Sequence, residues 1–331
     1  MAFRRSISRR TLFKEAAAFT AIATTPAFGQ GSAWPDRAVR IIVPYPAGGS
    51  TDVLMRLYAE QLQRRLGQPF VIENRPGAGG NTGIDAVVRS RADGYTLGAA
   101  TIGHFAINQF LYARMPFDPE RDIVPASLTY ELPNVALVSS QHVPAATLEE
   151  FIAWAKTRDQ VTYGSPGVGT SPHLSAALFS TRTGLKTVHV PFRGAAQIIP
   201  AMLSGDVNFA IDNLASYISL VESGQMRALS VTSAERWPTL PNVPTMAEAG
   251  LKDFVVTSWA ALVAPYGTPR NVTDKLSATI QQIAAEPAMK ARFLAAGAKI
   301  LSSTPEGAKA HADKERAMWK DVVAISGARV E

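Results

Sequence analysis

An apolar strand that runs through a proline- and glycine-rich turn into a helix is the feature that most constrains this fold. Residues 41–43 are apolar, residues 44–49 read Pro-Tyr-Pro-Ala-Gly-Gly, and apolar residues then recur at helical spacing until Gly67. The turn is therefore also a helix N-terminus, whose free backbone N–H groups can bind a carboxylate or a phosphate. An ordinary tight turn capped by Ser50 or Thr51 would give the same local pattern. A binding site is favoured because the chain repeats the arrangement.

The same strand, glycine-rich turn and helix recur along the chain. Strand 70–74 leads into the turn 76–83, strand 161–163 into the turn 164–170, and strand 188–191 into Arg193 and Gly194. In the third turn, Ser171 is the expected N-cap and Pro172 the first helical residue. Strands that alternate with helices at this spacing predict an α/β fold with parallel sheets, whose ligand sites lie at the carboxyl ends of strands. We therefore expect several helix N-termini at one sheet edge.

The remaining elements are less regular. Residues 102–133 read as irregular, because Pro116, Pro119, Pro125 and Pro133 interrupt the pattern, and a strand follows at 135–138. Later we expect a strand at 207–211, a helix at 214–221, an apolar strand at 255–263 and three helices to the end of the chain.

Composition excludes several classes of site. The chain has no cysteine, so it has no disulfide, thiolate nucleophile or cysteine-based metal site. Its five histidines lack metal-ligand spacing, and we expect neither a metal nor a cofactor. The turn at 76–83 has neither the G-x-G-x-x-G spacing after the first strand nor the lysine of a phosphate-binding loop, which argues against a nucleotide.

The first 33 residues have the pattern of an export signal. Four arginines precede a short apolar stretch, and small residues near positions 27–33 offer a cleavage site. The segment 8–14 resembles a twin-arginine signal, but a general secretory signal that contains an arginine pair is equally open. Most of the formal net charge of +6 belongs to this segment, so the high pI gives little support to nucleic-acid binding, and we expect no nucleic-acid partner.

Ordered motifs along the mature chain resemble the Bug family, the periplasmic solute-binding proteins of tripartite tricarboxylate transporters. The segments that carry the resemblance are 34–35, 43–52, 73–80, 164–174, 190–194 and 241–250. The departures are small: Tyr45-Pro46-Ala47 stands where Phe-Pro-Pro is common, and Phe192-Arg193 where Tyr-Lys is common.

The resemblance implies a two-lobed periplasmic-binding-protein fold of the type II kind, in which each lobe is a mainly parallel sheet flanked by helices. One lobe would comprise residues 34–131 and 260–331, and the other residues 132–259, with crossing strands near 129–133 and 254–259 as the hinge. The protein would be a periplasmic monomer that captures a small organic acid between the lobes and delivers it to the membrane permease subunits.

The resemblance also implies that one carboxylate of the ligand is held by the glycine-rich turns, directly from the second lobe and through ordered waters from the first. The expected ligand-binding residues are Tyr45, Ala47, Gly48, Gly49, Thr51, Asp52, Ala78, Gly79, Ser165, Gly169, Thr170, Ser171, His173, Arg193 and Asp212.

Several of these residues also have structural interpretations. His173 would contact the ligand or pack on the surface, and Arg193 would neutralise a second carboxylate or pair with Asp212 or solvent. Asp52 would cap its own helix, and Asp212 would hold an amine or a hydroxyl of the ligand. A structural role is open for either aspartate.

A hydrolase and a ligand-sensing protein are the two alternatives to a transport protein. A hydrolase would need a histidine beside a nucleophilic serine, and the chain has no G-x-S-x-G elbow, so we expect no enzyme. A ligand-sensing protein for a carboxylate signalling system would share the fold, but the chain shows no DNA-binding or kinase segment.

Overall fold

The computed structural model describes residues 34–326 and 328–330, and the predicted export signal lies outside the described residues. The strands are β1 Val39–Val43, β2 Phe70–Asn74, β3 Thr96–Thr101, β4 Ile123–Ser139, β5 Val161–Ser165, β6 Thr187–Pro191, β7 Phe209–Asn213, β8 Met226–Val231, β9 Thr257–Pro265 and β10 Lys299–Ile300. The helices are α1 Ser50–Leu66, α2 Asn81–Val88, α3 Asn108–Leu111, α4 Leu148–Lys156, α5 Ser171–Thr183, α6 Ala195–Leu203, α7 Ile218–Glu222, α8 Arg270–Ala285, α9 Pro287–Ala295 and α10 Pro305–Ser326.

The strands form one mixed sheet with the order β2-β1-β3-β9-β4-β7-β5-β6, and β8 and β10 pair with β4. Pairing is parallel within β2-β1-β3 and within β7-β5-β6, as expected where helices connect successive strands. The two parallel groups are joined by antiparallel pairs that involve β4 and β9. We call β1, β2, β3 and β9 the first sheet region, and β5, β6, β7 and β8 the second sheet region.

Strand β4 runs through both regions. Its residues from Ile123 to Pro133 pair with β9, and those from Asn134 to Val138 pair with β7. The expectation that prolines leave residues 123–133 irregular is therefore wrong. Pro125 lies at a register shift, and Pro133 lies where the strand changes partners, positions at which a strand tolerates a residue without an N–H group.

Three predicted boundaries also differ from the structure. Strand β7 begins at Phe209, and β9 begins at Thr257, each two residues later than expected. The expected helix 214–221 is a 3₁₀ turn at Leu214–Ser216 followed by the short α7, because Tyr217 between them has non-helical backbone angles. Boundary shifts of this size are ordinary, because helix and strand ends carry little periodic signal.

Helices pack on the sheet through apolar cores. Helices α1 and α8 pack on the first sheet region, where Tyr58 of α1 meets the ring of Phe293 at a centroid distance of 5.1 Å. Helix α10 contacts both β4 and α5, and its Trp319 is fully buried. In the described part of the chain, every helix is too short or too polar to span a bilayer.

Candidate functional site

A cleft that holds about 630 Å³ of empty space, including the solvent at its open mouth, lies between the two sheet regions. The residues that line it are Tyr45, Pro46, Ala47, Gly49, Ser50, Thr51, Thr101, Ile102, Tyr130, Pro166, Thr170, Ser171, Pro172, Gly194, Ala195, Ala196, Asp212, Asn213, Ser216, Ser258 and Trp259.

Three helix N-termini contribute to the cleft wall. Gly49, Thr170 and Gly194 are the N-caps of α1, α5 and α6, and all three line the cleft together with the residues that follow them. These helices begin directly after the turns that follow β1, β5 and β6, so the carboxyl ends of parallel strands bring them to the cleft. Each N-terminus carries partial positive charge and N–H groups that point along the helix axis.

The N-cap of α5 is Thr170, one residue before the predicted Ser171. The Thr170 hydroxyl accepts a hydrogen bond from the His173 N–H at 3.4 Å and donates to the Gly167 carbonyl at 2.7 Å. The sequence pattern misplaced the cap because either hydroxyl residue suits it, and the structure makes Ser171 the first helical residue. The Ser171 hydroxyl instead contacts the hydroxyl of Ser258 on β9.

Tyrosine and tryptophan side chains give the cleft a stiff wall on the side of the first sheet region. The Tyr45 hydroxyl lies 2.9 Å from the Thr101 hydroxyl, and burial raises the pKa of Tyr45 to about 12. The Tyr130 hydroxyl donates to Thr51 Oγ1 at 2.8 Å. Trp259 lines the cleft and stacks on Phe105, with ring centroids 5.4 Å apart. Contacts with the protein therefore hold these rings in position at the cleft.

Asp212 is the acidic residue of the lining. It is 1% exposed, its Oδ2 accepts from the Tyr217 hydroxyl at 2.8 Å, and its Oδ1 accepts from the Asn213 N–H at 2.7 Å. Burial raises the pKa of Asp212 to about 6, although both hydrogen bonds favour the ionised form. No lysine or arginine is among the described residues that line the cleft.

Seven of the expected ligand-binding residues line this cleft. They are Tyr45, Ala47, Gly49, Thr51, Thr170, Ser171 and Asp212. The other eight lie outside the lining, and they are Gly48, Asp52, Ala78, Gly79, Ser165, Gly169, His173 and Arg193.

Asp52 holds the first turn in shape from behind the cleft wall. Its carboxylate accepts from the Gly48 N–H at 3.0 Å and from Asn74 Nδ2 at 2.9 Å, and it pairs with Arg56 at 2.9 Å. Burial opposes ionisation of this carboxyl, but the hydrogen bonds from Arg56, Gly48 and Asn74 outweigh it and hold the pKa of Asp52 below its usual range.

The second glycine-rich turn packs against the opposite side of the cleft. Gly79, in the 3₁₀ turn Ala78–Gly80, has φ of 63°, and a Cβ added to it would lie 2.6 Å from the Val168 carbonyl oxygen. Tyr112 donates its hydroxyl to the same carbonyl at 3.1 Å. This turn therefore joins the two sides of the molecule at the rim.

Ser165 and His173 belong to a buried cluster under the third turn. The Ser165 hydroxyl lies 2.7 Å from His189 Nε2, and the His173 and His189 rings stack with centroids 4.2 Å apart. Burial lowers the pKa of His173 to about 3 and that of His189 to about 4. The pair of Ser165 and His189 has no local signal in the sequence, because the two residues come from neighbouring strands and are 24 positions apart.

Arg193 is exposed, and its backbone N–H donates to Gln197 Oε1 at 3.0 Å. Arg193 does not pair with Asp212, which was one of the expected alternatives. The hydrogen bonds to the Asp212 carboxylate come from Tyr217 and Asn213.

Several lining residues were missed by sequence reasoning. Thr101 lies at the end of β3 and could have been found by the rule that ligand sites lie at strand ends. Asn213 is the last residue of β7 and could have been found by the same rule. Ser216 has no such signal, because its position depends on the 3₁₀ turn after β7. In the described chain, no group of three or more acidic, histidine or cysteine side chains could hold a metal ion.

Comparison with known proteins gives consistent matches across the chain. Residues 54–325 match the profile of the "Tripartite tricarboxylate transporter family receptor". The protein BugT of Bordetella pertussis is 35% identical over 315 residues, which are 95% of this chain and 96% of that protein. A structure of Rpa4515 from R. palustris with adipate has a TM-score of 0.87 at 35% identity and covers 90% of this chain and 100% of its own. MatC from Rhodopseudomonas palustris, with bound malate, has a TM-score of 0.82 at 30% identity and covers 88% of this chain and 100% of its own.

Proposed function

The chain belongs to the receptor family of the tripartite tricarboxylate transporters, and from this premise we propose that it captures a small organic acid in the cleft and delivers it to the membrane permease subunits. The observation that carries the proposal is the convergence of the N-termini of α1, α5 and α6 on a cleft whose described lining holds no basic side chain. Similar structures with bound adipate and malate support a carboxylate as the ligand.

The energetics of helix N-termini are sufficient for this role. A carboxylate gains about 0.3 to 1 kcal/mol from each helix dipole when exposed, and up to about 2 kcal/mol when partly buried. Each charge-assisted hydrogen bond from a first-turn N–H adds about 1.5 to 3 kcal/mol. Two or three such contributions, less the cost of ordering the ligand, are compatible with micromolar binding, about 8 kcal/mol.

Two lobes that close over the ligand would complete the site. We place residues 34–131 and 260–331 in one lobe and residues 132–259 in the other, with β4 and the start of β9 as the crossing strands. Contacts across the cleft, such as Ser50 with Ser216 and Tyr112 with Val168, support a closed arrangement. Closure would exclude water, strengthen every hydrogen bond to the ligand and create the shape that the permease recognises.

The proposed setting is the periplasm, reached by either export route, with the protein as a monomer. We propose no catalytic step. The pair of Ser165 and His189 is the nearest approach to a nucleophile and base, but Ser165 is fully buried outside the cleft lining, and a histidine with a pKa of about 4 is a weak base at neutral pH.

Calorimetry with matched ligand pairs tests the proposal. Each organic acid is compared with its uncharged amide, for example pentanoate with pentanamide, at fixed ionic strength. We expect binding of acids of one chemical class, with the amides at least tenfold weaker. At 100 times its dissociation constant, a bound acid should also stabilise the protein by about 2.7 kcal/mol in a thermal-shift measurement. Amides that bind as tightly as the acids would refute a carboxylate site, and hydrolysis of an ester lost in Ser165→Ala would indicate an enzyme.

A further inference from the structure

We propose that Asp212 selects ligands that carry an ammonium group in addition to the carboxylate, so that the cleft takes amino acids in preference to dicarboxylic acids. This inference rests on the proposed function and adds the chemical class of the ligand. It begins from the position of the Asp212 side chain, which is 1% exposed and lines the same cleft as the three helix N-termini.

Asp212 has capacity left for a ligand. Each carboxylate oxygen can accept two hydrogen bonds, and each oxygen of Asp212 accepts one from the protein, from Asn213 and from Tyr217. The buried Asn213 Oδ1, next in the chain, has no hydrogen-bond partner in the described structure. Asn213 also lines the cleft, so a donor with several N–H groups could bond to both side chains.

Charge decides which donor fits. An ionised carboxylate in a buried site is costly unless a cation accompanies it, and the described lining contains neither lysine nor arginine. A dicarboxylic acid would bring a second anion into a cleft that already holds Asp212. An amino acid would instead place its carboxylate at a helix N-terminus and its ammonium at Asp212, so that both charges are neutralised.

Few other groups near β7 change their ionisation at neutral pH. The titratable and charged side chains of the cleft wall and of the elements packed on β7 are Tyr45, Tyr130, Glu131, Tyr163, His173, Arg182 and Tyr217. Burial raises the pKa of Tyr45 and of Tyr163 to about 12 and lowers that of His173 to about 3. Burial also raises the pKa values of Tyr130, Tyr217 and Glu131. Glu131 does not line the cleft, so Asp212, with a pKa of about 6, is the carboxyl group of the described lining that titrates between pH 5 and 7.

The test uses five-carbon acids with one skeleton and different second groups. The dissociation constants of 2-aminopentanoate, 5-aminopentanoate, 2-hydroxypentanoate, pentanoate and pentanedioate are measured by calorimetry at pH 5 and pH 7. We expect one of the aminopentanoates to bind at least tenfold more tightly than pentanoate at pH 7. Its affinity should rise about tenfold from pH 5 to pH 7, because the complex needs ionised Asp212.

Variants separate this inference from the proposed function. Asp212→Asn should remove the preference for the amine and the pH dependence, whereas Asp206→Asn, an exposed aspartate before β7, should keep both.

Pentanedioate or 2-hydroxypentanoate as the tightest ligand, with affinity that falls from pH 5 to pH 7, would overturn the inference and leave a carboxylate-binding protein. Loss of pentanedioate binding in Arg193→Gln would also overturn it and would assign the second carboxylate to Arg193. Failure of every acid to bind would refute the proposed function itself. The pH dependence of the unaltered protein keeps the test decisive if Asp212→Asn does not fold.

Discussion

The hydroxyl of Ser50, at the first position of α1, lies 2.7 Å from the hydroxyl of Ser216 in the 3₁₀ turn after β7. The Ser50 N–H also donates to Ser216 Oγ, at 3.1 Å. The two residues are 166 positions apart and line opposite sides of the cleft. Their contact ties the N-terminus of α1 to the second sheet region, so it bears directly on how the cleft closes.

Removal of this contact should weaken ligand binding. In Ser216→Ala, the closed arrangement loses about 1 kcal/mol of hydrogen bonding, which corresponds to an affinity about fivefold lower. Calorimetry with the tightest acid measures the effect, and Ser219→Ala, an exposed serine on α7, is the matched control. Equal affinities of the two variants would show that the contact plays no part in binding.

Thr170 should contribute to binding and to helix stability at once. Thr170→Ala removes the N-cap of α5, and Thr147→Ala removes the N-cap of α4, whose side chain accepts from the Glu150 N–H at 3.1 Å. Each change should cost about 1 kcal/mol of unfolding free energy, measured by urea denaturation. Only Thr170→Ala should also weaken ligand binding, about tenfold, because this cap holds the N-terminus of α5 at the cleft, and Thr170→Ser should restore it. The same loss of affinity in Thr147→Ala would indicate that α5 capping has no special role.

Gly79 should be required for two reasons, its positive φ and its close approach to Val168 at the rim of the cleft. Gly79→Ala and Gly67→Ala both place a side chain at positive φ, 63° and 74°, so both should lower stability by about 1 kcal/mol or more. The space around Gly67 is open, whereas a Cβ on Gly79 would meet the Val168 carbonyl oxygen at 2.6 Å. We therefore expect Gly79→Ala to reduce ligand affinity more than tenfold and Gly67→Ala to leave it unchanged. Normal binding by Gly79→Ala would mean that the rim can open without consequence.

Acidification should destabilise the ligand-free protein. Burial lowers the pKa of His104 and of His189 to about 4 and that of His173 to about 3, each from 6.5. The unfolded chain therefore binds more protons than the native state below about pH 6.5, and stability falls with pH from there towards pH 4. Fully buried His104 alone should account for about 2 kcal/mol between pH 7.5 and pH 5.

Asp212 works in the opposite direction. Its pKa is raised from 3.8 to about 6, so the native state gains a proton first as the pH falls, which returns about 1 kcal/mol of stability by pH 5. Urea denaturation at pH 7.5 and pH 5 should show a net loss, and the loss should be larger in Asp212→Asn. Greater stability at pH 5 than at pH 7.5 would contradict these assignments.

The parts of the fold that sequence predicts are those with a local physical cause. Apolar periodicity and glycine-rich turns indicate the alternating strands and helices around β1 and α1, because that signal lies within a few residues. The same reasoning brings Gly49 and Thr170 to the cleft. The division into lobes and the roles of individual residues in ligand binding stay predictions.

The parts that sequence could not predict depend on distant partners. Prolines in β4 look like interruptions until β9 and β7 are seen to pair on either side of Pro133. The contact of Ser50 with Ser216 and that of Ser165 with His189 join residues far apart in the chain. The sequence also does not show whether Asp212 faces a cleft or a core. The residues before it in β7 are apolar and buried, so no alternation of polar and apolar residues marks the face that turns to the cleft.

A crystal structure of the protein with the acid that gives the largest thermal shift tests the central claim most directly. We expect one ligand carboxylate in the cleft, with its oxygens within about 3.2 Å of first-turn N–H groups of α1, α5 or α6, directly or through one ordered water. A carboxylate held by a lysine or arginine outside the cleft, or turned away from all three helix N-termini, would contradict the proposed mode of binding.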